Sequence, residues 1–131
     1  MKTNASTVIL SALLVAGCGP APIEKPAGPP LTVTAKELAK AYEENEAGAQ
    51  LKYGNHVLEV TGKIASIDLD FSNKPFLVLV GTNPFMGPQM QLTEASQAKA
   101  ASLKKGAIVT SVCASVSELA GTPMLTGCEF K

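Results

Sequence analysis

The spacing of apolar and polar residues changes several times along the chain, and the first stretch is an apolar run. Residues 5–16 are interrupted only by Ser6, Thr7 and Ser11, and they follow a short start that carries Lys2. A helix of that length spans roughly 18 Å, whereas the hydrocarbon core of a bilayer is about 30 Å thick. The pattern therefore predicts a signal peptide rather than a transmembrane helix.

The apolar run ends in Val15-Ala16-Gly17-Cys18, which resembles the lipobox of bacterial lipoproteins. The resemblance implies that residues 1–17 are removed and that diacylglycerol is attached to the Cys18 thiol. The alternative is an ordinary secretory signal that leaves Cys18 as a spare thiol. Gly19 stands where an acidic residue favours the inner membrane, so the same resemblance implies a lipid anchor in the outer membrane, facing the periplasm.

Residues 18–30 join the proposed lipid anchor to the rest of the chain. They contain prolines at positions 20, 22, 26, 29 and 30 and almost nothing to bury. This composition predicts a tether that extends about 3.1 Å per residue. The remaining residues, 31–131, are enough for one modest core, so we expect a single domain there.

The domain begins with a helical pattern. Thr34 and Glu37 have the spacing of a capping box, which predicts a helix start at Thr34. Leu38, Ala41 and Tyr42 then form a narrow apolar face. Asn45 can cap a second short turn through Ala49 to Tyr53, which Gly54-Asn55 ends.

A strand pattern follows, with β-branched and apolar residues over 56–67 and Gly62 as a bend within the strand. Further strands are predicted over 76–80, 90–92, 108–114 and 124–130. Between the third and fourth strands we expect a helix from Thr93 through Leu103, with Ala98 and Ala101 facing inward. The pattern predicts a mainly β fold: a five-stranded OB-fold barrel with an N-terminal helical lead-in and a helix between strands 3 and 4.

Residues 31–131 also resemble the tRNA-anti-like OB-fold family of bacterial lipoproteins. The residues that carry the resemblance are Leu38, Tyr42, Asn45, Glu46, Ala49 and Tyr53 in the lead-in, Val60-Thr61-Gly62, Lys105-Gly106, Cys113 and Gly127-Cys128. The resemblance implies an OB-fold binding domain and assigns no reaction to it.

Composition argues against nucleic acid as a partner. The chain has 11 Lys, no Arg and 11 acidic residues, and it contains four Phe, two Tyr and no Trp. OB barrels that bind nucleic acids combine a basic groove with aromatic stacking platforms. A neutral domain without arginine does not offer such a basic groove, so we expect no nucleic acid to bind.

Few residues suggest a catalytic, metal-binding or phosphate-binding site. Asp68, Asp70 and Ser72 alternate like the first ligands of a calcium loop, but the turn glycine and distal glutamate are missing, which favours a solvated hairpin. His56 is the only imidazole and has no cysteine or second histidine near it in sequence. No G-x-S-x-G motif occurs, and Gly62-Lys63 follows no phosphate-binding loop. We therefore expect no catalytic residue, no metal site and no cofactor.

Phe85 and Met86 are candidate partner contacts, because they lie between Pro84 and Gly87 at a predicted loop tip. Large apolar side chains exposed at such a tip often meet a partner. The alternative is a tip that folds back over the mouth of the barrel.

Cys113 and Cys128 are the cysteines left after Cys18, an even pair in an oxidising compartment. A two-residue turn at Ala120-Gly121 would place each of them seven residues from the turn, directly opposite the other. Opposed residues in an antiparallel pair are close enough for a disulfide. The sequence therefore predicts a disulfide, the alternative being two buried free thiols.

Three functions are consistent with these features. The first is a non-catalytic binding module for an envelope protein or a small ligand, held on the membrane through the lipid on Cys18. The second is an inhibitor or exclusion factor acting on an envelope protein. The third is an enzyme, and the absence of a catalytic motif makes it the weakest of the three.

The lipid anchor is tested by metabolic labelling with a fatty-acid analogue. We expect label on the wild-type protein and none on Cys18→Ser. The variant should also move to the soluble fraction, because the acyl chains of a lipoprotein supply the stable membrane binding. Label that persists on Cys18→Ser would contradict the assignment.

Overall fold

The computed structural model describes Gly17 and residues 28–131. The rest of the predicted signal peptide, Cys18 and most of the predicted tether lie outside the described residues. The six strands are β1 (Leu31–Thr34), β2 (Leu58–Leu69), β3 (Pro75–Leu79), β4 (Gln89–Leu92), β5 (Ile108–Leu119) and β6 (Thr122–Phe130). The three helices are α1 (Ala35–Glu44), α2 (Glu46–Tyr53) and α3 (Glu94–Ala100). In the described part of the chain, no helix has the length and apolar character needed to span a membrane.

Strands β2 to β6 form the predicted closed barrel. The first half of β2 pairs with β5, from Leu58 opposite Cys113 to Lys63 opposite Ile108. The second half pairs with β3, from Ile64 to Leu69. β3 continues to β4, β4 to β6 and β6 to β5, which closes the barrel. The mainly β fold, the helical lead-in and the helix between the third and fourth barrel strands are confirmed.

β1 was not predicted. It pairs in parallel with the start of β2, with Leu31 opposite Leu58 and Thr34 opposite Thr61. Four residues are too short to show a clear period in the sequence, and they become a strand because β2 offers an open edge beside them.

Gly62 allows the helical lead-in to pack against the barrel. A Cβ atom at this position would lie 2.7 Å from the Ala35 Cβ and 3.1 Å from the Leu79 Cδ1. The irregularity in β2 lies between Ile64 and Ser66 rather than at the glycine. Gly62 is therefore needed for close approach of α1.

Side-chain caps start the first two helices as predicted. Thr34 Oγ1 accepts a hydrogen bond from the Glu37 N–H at 3.2 Å, and Glu37 Oε2 accepts one from the Thr34 N–H at 3.0 Å. The hydrogen bonds from Thr34 lower the pKa of the Glu37 carboxyl. Asn45 Oδ1 accepts from the Gly48 N–H at 2.9 Å and so begins α2.

α3 differs from its prediction. It ends at Ala100 rather than Leu103, and Ala98 and Ala101 are exposed, whereas Ser96 and Ala100 are buried. The reason is the position of β6, because Ser96 Oγ accepts the Phe130 N–H at 3.3 Å and fixes which face of the helix turns inward. Thr93 is the N-cap residue, but its side chain makes no capping hydrogen bond.

Tyr42 connects both lead-in helices to the barrel. Its side chain is fully buried, and its hydroxyl donates to Gln50 Oε1 at 2.9 Å. The Gln50 Nε2 in turn donates to the Val116 carbonyl at 3.3 Å. Burial raises the pKa of Tyr42 to about 12, with smaller contributions from Glu118 and Tyr53, because the phenolate would be poorly solvated there.

The β5–β6 hairpin has the predicted register. Ala120 and Gly121 form the turn with φ of 50° and 76°, and Glu118 is opposite Pro123. Cys113 and Cys128 are opposite each other, 4.0 Å apart at Cα, and are joined by a disulfide. Both cysteines are fully buried, so the bridge lies inside the core.

The disulfide is tested by alkylation followed by intact-mass measurement. We expect no alkylated thiol at positions 113 and 128 in the unreduced protein and two after reduction and unfolding. Because the bridge closes a loop of about 15 residues, reduction should lower the free energy of unfolding by about 3 kcal/mol. Two alkylated thiols in the unreduced protein would contradict the bridge.

The Tyr42 hydroxyl is tested with Tyr42→Phe. We expect a loss of about 1 kcal/mol in the free energy of unfolding near pH 8, because Gln50 loses its partner. The pKa of a tyrosine is ordinarily 10.0 and that of Tyr42 is raised to about 12, so ionisation favours the unfolded chain as pH rises through that interval. The difference between wild type and variant should therefore shrink between pH 10 and 12. Urea unfolding at several pH values measures it, and a constant difference would contradict the argument.

Candidate functional site

One face of the barrel carries a cavity of about 440 Å³, which we call the apolar groove. It lies where the loop between β2 and β3 meets the β5–β6 turn, beside β3 and β4. The residues that line it are Leu69, Asp70, Phe71, Phe76, Gln89, Gln91, Leu119 and Met124. In OB barrels this is the face, with these two loops, that binds ligands.

The alternation of side chains along β3 and β4 determines which residues form the floor of the groove. On β4, Met90 and Leu92 are buried in the core, so Gln89 and Gln91 point to the outer face. Phe76 is opposite Gln91 in the β3–β4 register and therefore shares that face. The floor thus combines an aromatic ring with two amide groups, which can each donate and accept hydrogen bonds.

The β2–β3 loop forms one wall, and Asp70 organises it. Asp70 Oδ1 accepts the N–H groups of Ser72 at 2.8 Å and Lys74 at 2.9 Å. Asp68 Oδ2 accepts the Ser66 hydroxyl at 2.6 Å. These carboxylates therefore form a hydrogen-bonded turn, and the turn presents Phe71, whose side chain is fully exposed at the tip.

The β5–β6 turn forms the opposite wall. Glu118 Oε2 accepts the Gly121 N–H at 2.9 Å and holds the turn. Leu119, just before it, is 68% exposed, and Leu69 at the end of β2 is 63% exposed. With Phe71 they make an apolar cluster at the rim that no part of the described chain covers.

A polar cavity of about 350 Å³ adjoins the apolar groove. The two share Asp70, Phe76 and Gln91, and the polar cavity adds Lys74 and Gln97 among its lining residues. The site can therefore hold a ligand that is apolar at one end and hydrogen-bonding at the other. Within the apolar groove itself, Asp70 is the one charged side chain among the described residues.

The predicted partner contacts lie elsewhere, in the loop between β3 and β4. Asn83 Oδ1 accepts the N–H groups of Phe85 at 2.9 Å and Met86 at 2.8 Å, which shapes the tip. Phe85 is 90% exposed, whereas Met86 is turned partly toward α1 and lines a small cavity with Ala39 and Glu43. The structure thus separates the two residues and brings neither into the apolar groove.

Sequence reasoning missed Leu69, Phe71 and Leu119. Phe71 had a usable signal, since a phenylalanine within the polar run 70–74 is as unusual as one at the 84–87 tip. Leu69 and Leu119 had none, because each is a single leucine just beyond the predicted strands 56–67 and 108–114, where the sequence does not indicate whether the fold buries it.

The groove gathers ring, apolar and amide side chains, and His56 lies elsewhere. His56 is exposed in the turn before β2. Its backbone N–H donates to the Tyr53 carbonyl at 3.1 Å. Across residues 28–131, no three His, Cys, Asp or Glu side chains converge as they would around a metal ion. The groove can stack against a ring, bury apolar surface and bond to amides.

The comparisons with known proteins agree with this architecture. A crystal structure from Klebsiella pneumoniae subsp. pneumoniae, described as a candidate nucleic acid-binding lipoprotein, superposes with a TM-score of 0.55 at 15% sequence identity. The superposition covers 76% of this chain and 92% of the Klebsiella chain, and it shows a shared fold. No curated protein matches the sequence. The tRNA_anti-like family model matches residues 2–129, and the chain therefore belongs to the tRNA_anti-like family.

Proposed function

We propose that this domain is a non-catalytic OB-fold binding module that holds a segment of an envelope protein or a small ligand in the apolar groove. The observation that carries the proposal is the exposed cluster of Leu69, Phe71 and Leu119 beside β3 and β4. Exposed apolar residues that rim a concave site favour a binding partner over solvent.

The groove chemistry supports a ligand with both apolar and polar groups. Phe71 and Phe76 offer ring surface, while Gln89 and Gln91 offer amide groups that fix orientation. A backbone segment of a protein has this combination, and so does a small amphipathic molecule. Neither requires a charged partner, which suits a groove whose described lining holds a single carboxylate.

The same chemistry disfavours nucleic acid in this groove. The Klebsiella protein is described by nucleic acid binding, but a phosphate backbone needs cationic side chains along its path. Asp70 lines the groove, and no lysine does. We therefore keep nucleic acid outside the proposed ligand classes.

The proposed location is the periplasmic side of the outer membrane, with the lipid on Cys18 as anchor. The Val15-Ala16-Gly17-Cys18 sequence and the description of the Klebsiella protein as a lipoprotein support the anchor, and Gly19 after the cysteine favours the outer membrane. The proline-rich residues 18–30 would let the domain reach a partner in the periplasm while the lipid holds the chain.

Photo-crosslinking in intact cells tests the groove. A photoreactive phenylalanine at position 71 should capture a partner, or native mass spectrometry should find a small molecule bound to the purified protein. The double variant Leu69→Ala, Leu119→Ala should weaken either interaction by about tenfold for each leucine, because each removes buried apolar surface. Leu51 on α2 is 80% exposed and outside the groove, so Leu51→Ala and a photoreactive residue at 51 are the controls. Equal capture at 71 and 51, with no bound molecule, would contradict the proposal.

Nucleic acid binding is tested by gel retardation. The purified mature chain should not retard single-stranded RNA or DNA at physiological salt, because the groove holds a carboxylate and no lysine and the chain has no arginine and no net positive charge. Micromolar binding that weakens steeply with salt would contradict this interpretation.

A further inference from the structure

A second surface lies at the other end of β2, and we call it the basic end. It surrounds a cavity of about 430 Å³ and combines lysines with apolar side chains. Lys63, Val80 and Lys105 line the cavity. We include in the basic end Phe85 and Lys104, which are next in sequence to the lining residues Pro84 and Lys105, and Ile108, which is the cross-strand partner of Lys63. The cavity shares no residue with the apolar groove.

Its three lysines come from two segments that the fold brings together. Lys63 is on β2, and Lys104 and Lys105 are in the turn that leads to β5. The Gly106 N–H donates to the Ile64 carbonyl at 2.8 Å, which holds this turn against β2. The Lys63 Cε lies 3.9 Å from where a Cβ of residue 106 would be, so the Lys63 side chain extends toward the turn.

No opposite charge within the described structure neutralises this cluster. Among residues 28–131, the ion pairs are Lys40 with Glu44 and Lys131 with Glu59. The cavity is lined by Lys63 and Lys105 and by no carboxylate. Glu43 and Glu46 line a separate cavity that shares Asn83 with this one, and Glu43 accepts the Thr82 hydroxyl at 2.6 Å.

Large apolar side chains stand beside the lysines. Phe85 is 90% exposed, Ile108 is 74% exposed and Val80 is 41% exposed. Ile108 is the cross-strand partner of Lys63. Gly87 keeps the Phe85 loop close to the barrel, because a Cβ atom there would collide with the Leu79 carbonyl. The loop is therefore packed at its base while Phe85 projects into solvent.

We propose that the basic end docks on an anionic phospholipid surface, with its lysines over the headgroups and Phe85 at the interface. Lysines are attracted to anionic headgroups, and aromatic and aliphatic groups insert between them. A single-stranded nucleic acid would use the lysines and stack a base on Phe85, but it would leave the aliphatic Val80 and Ile108 without a role. An anionic membrane surface would contact both the lysines and the apolar side chains.

The geometry of the tether permits this docking. Leu31 is paired with Leu58, five residues from Lys63 along β2, or about 17 Å. If extended at about 3.1 Å per residue, the proline-rich residues 18–30 would span about 40 Å. A lipid on Cys18 therefore leaves enough chain for the basic end to meet the same bilayer.

Docking in this way leaves the apolar groove open. Lys63 and Leu69 are six residues apart on β2, or about 20 Å along the strand. The groove then faces away from the bilayer surface, where a periplasmic partner can enter it. The membrane contact would set the orientation of the binding site. The residues that make this contact do not line the apolar groove.

Vesicle sedimentation tests the proposal with the mature chain, residues 18–131, carrying Cys18→Ser so that the lipid does not dominate. We expect binding to vesicles of phosphatidylcholine with about 30 mol% phosphatidylglycerol, and weaker binding to phosphatidylcholine alone. Because each lysine near an anionic surface strengthens binding about fivefold, Lys63→Gln, Lys104→Gln, Lys105→Gln should lower the partition coefficient on the order of 100-fold. Raising the salt concentration should do the same to the wild type.

The control variant is Lys36→Gln, Lys40→Gln, Lys52→Gln, which removes the same charge from exposed positions that line neither the basic end nor the apolar groove. It should lower binding less than about fivefold. Phe85→Ser should weaken binding on the order of tenfold, and Leu51→Ser should not. Circular dichroism and melting curves confirm that each variant is folded.

Three results would overturn the proposal: no binding of wild type to anionic vesicles, equal losses in the two lysine variants, or equal binding to both vesicle compositions. Retardation of single-stranded RNA that is lost only in the variant of Lys63, Lys104 and Lys105 would assign the basic end to nucleic acid instead. None of these results depends on the apolar groove, so this proposal and the proposed binding function fail separately.

Discussion

The two-sided pairing of β2 is the constraint on which the rest of the molecule depends. Its first half completes the ladder with β5 and its second half starts the ladder with β3, so one strand belongs to both sides of the barrel. The register irregularity between Ile64 and Ser66 is where it passes from one partner to the other. Without this strand the sheet would be left with open edges, which expose unpaired backbone groups.

The helical lead-in depends on the same strand. α1 begins against Gly62, where no side chain would fit, and Tyr42 then reaches Gln50 and the Val116 carbonyl. Buried hydrogen bonds of this kind fix one arrangement of helices on a barrel, because breaking them leaves polar groups without partners. The buried bridge joins Cys113, the cross-strand partner of Leu58 on β2, to Cys128 and so locks the register of β5 and β6.

The bend in β2 also separates the two surfaces with proposed roles. Lys63 stands before the irregularity and Leu69 at the end of the strand, so one strand contributes to both the basic end and the apolar groove. A barrel strand is stiff, and the distance between the two surfaces is therefore fixed by the fold. In the proposed arrangement the basic end contacts the membrane while the apolar groove stays open. This arrangement suits a membrane-tethered module that binds a ligand in the periplasm.

The sequence alone determined the features that depend on local physics: the caps at Thr34 and Asn45, the strand periods, the two-residue turn at Ala120-Gly121 and hence the cysteine pairing. Each follows from a few neighbouring residues. The parallel strand β1, the inward face of α3 and the rim of Leu69, Phe71 and Leu119 were decided by tertiary structure. They depend on which distant segments lie side by side, and an apolar residue at the end of a strand gives no local sign of whether the fold will bury it or leave it at a binding site.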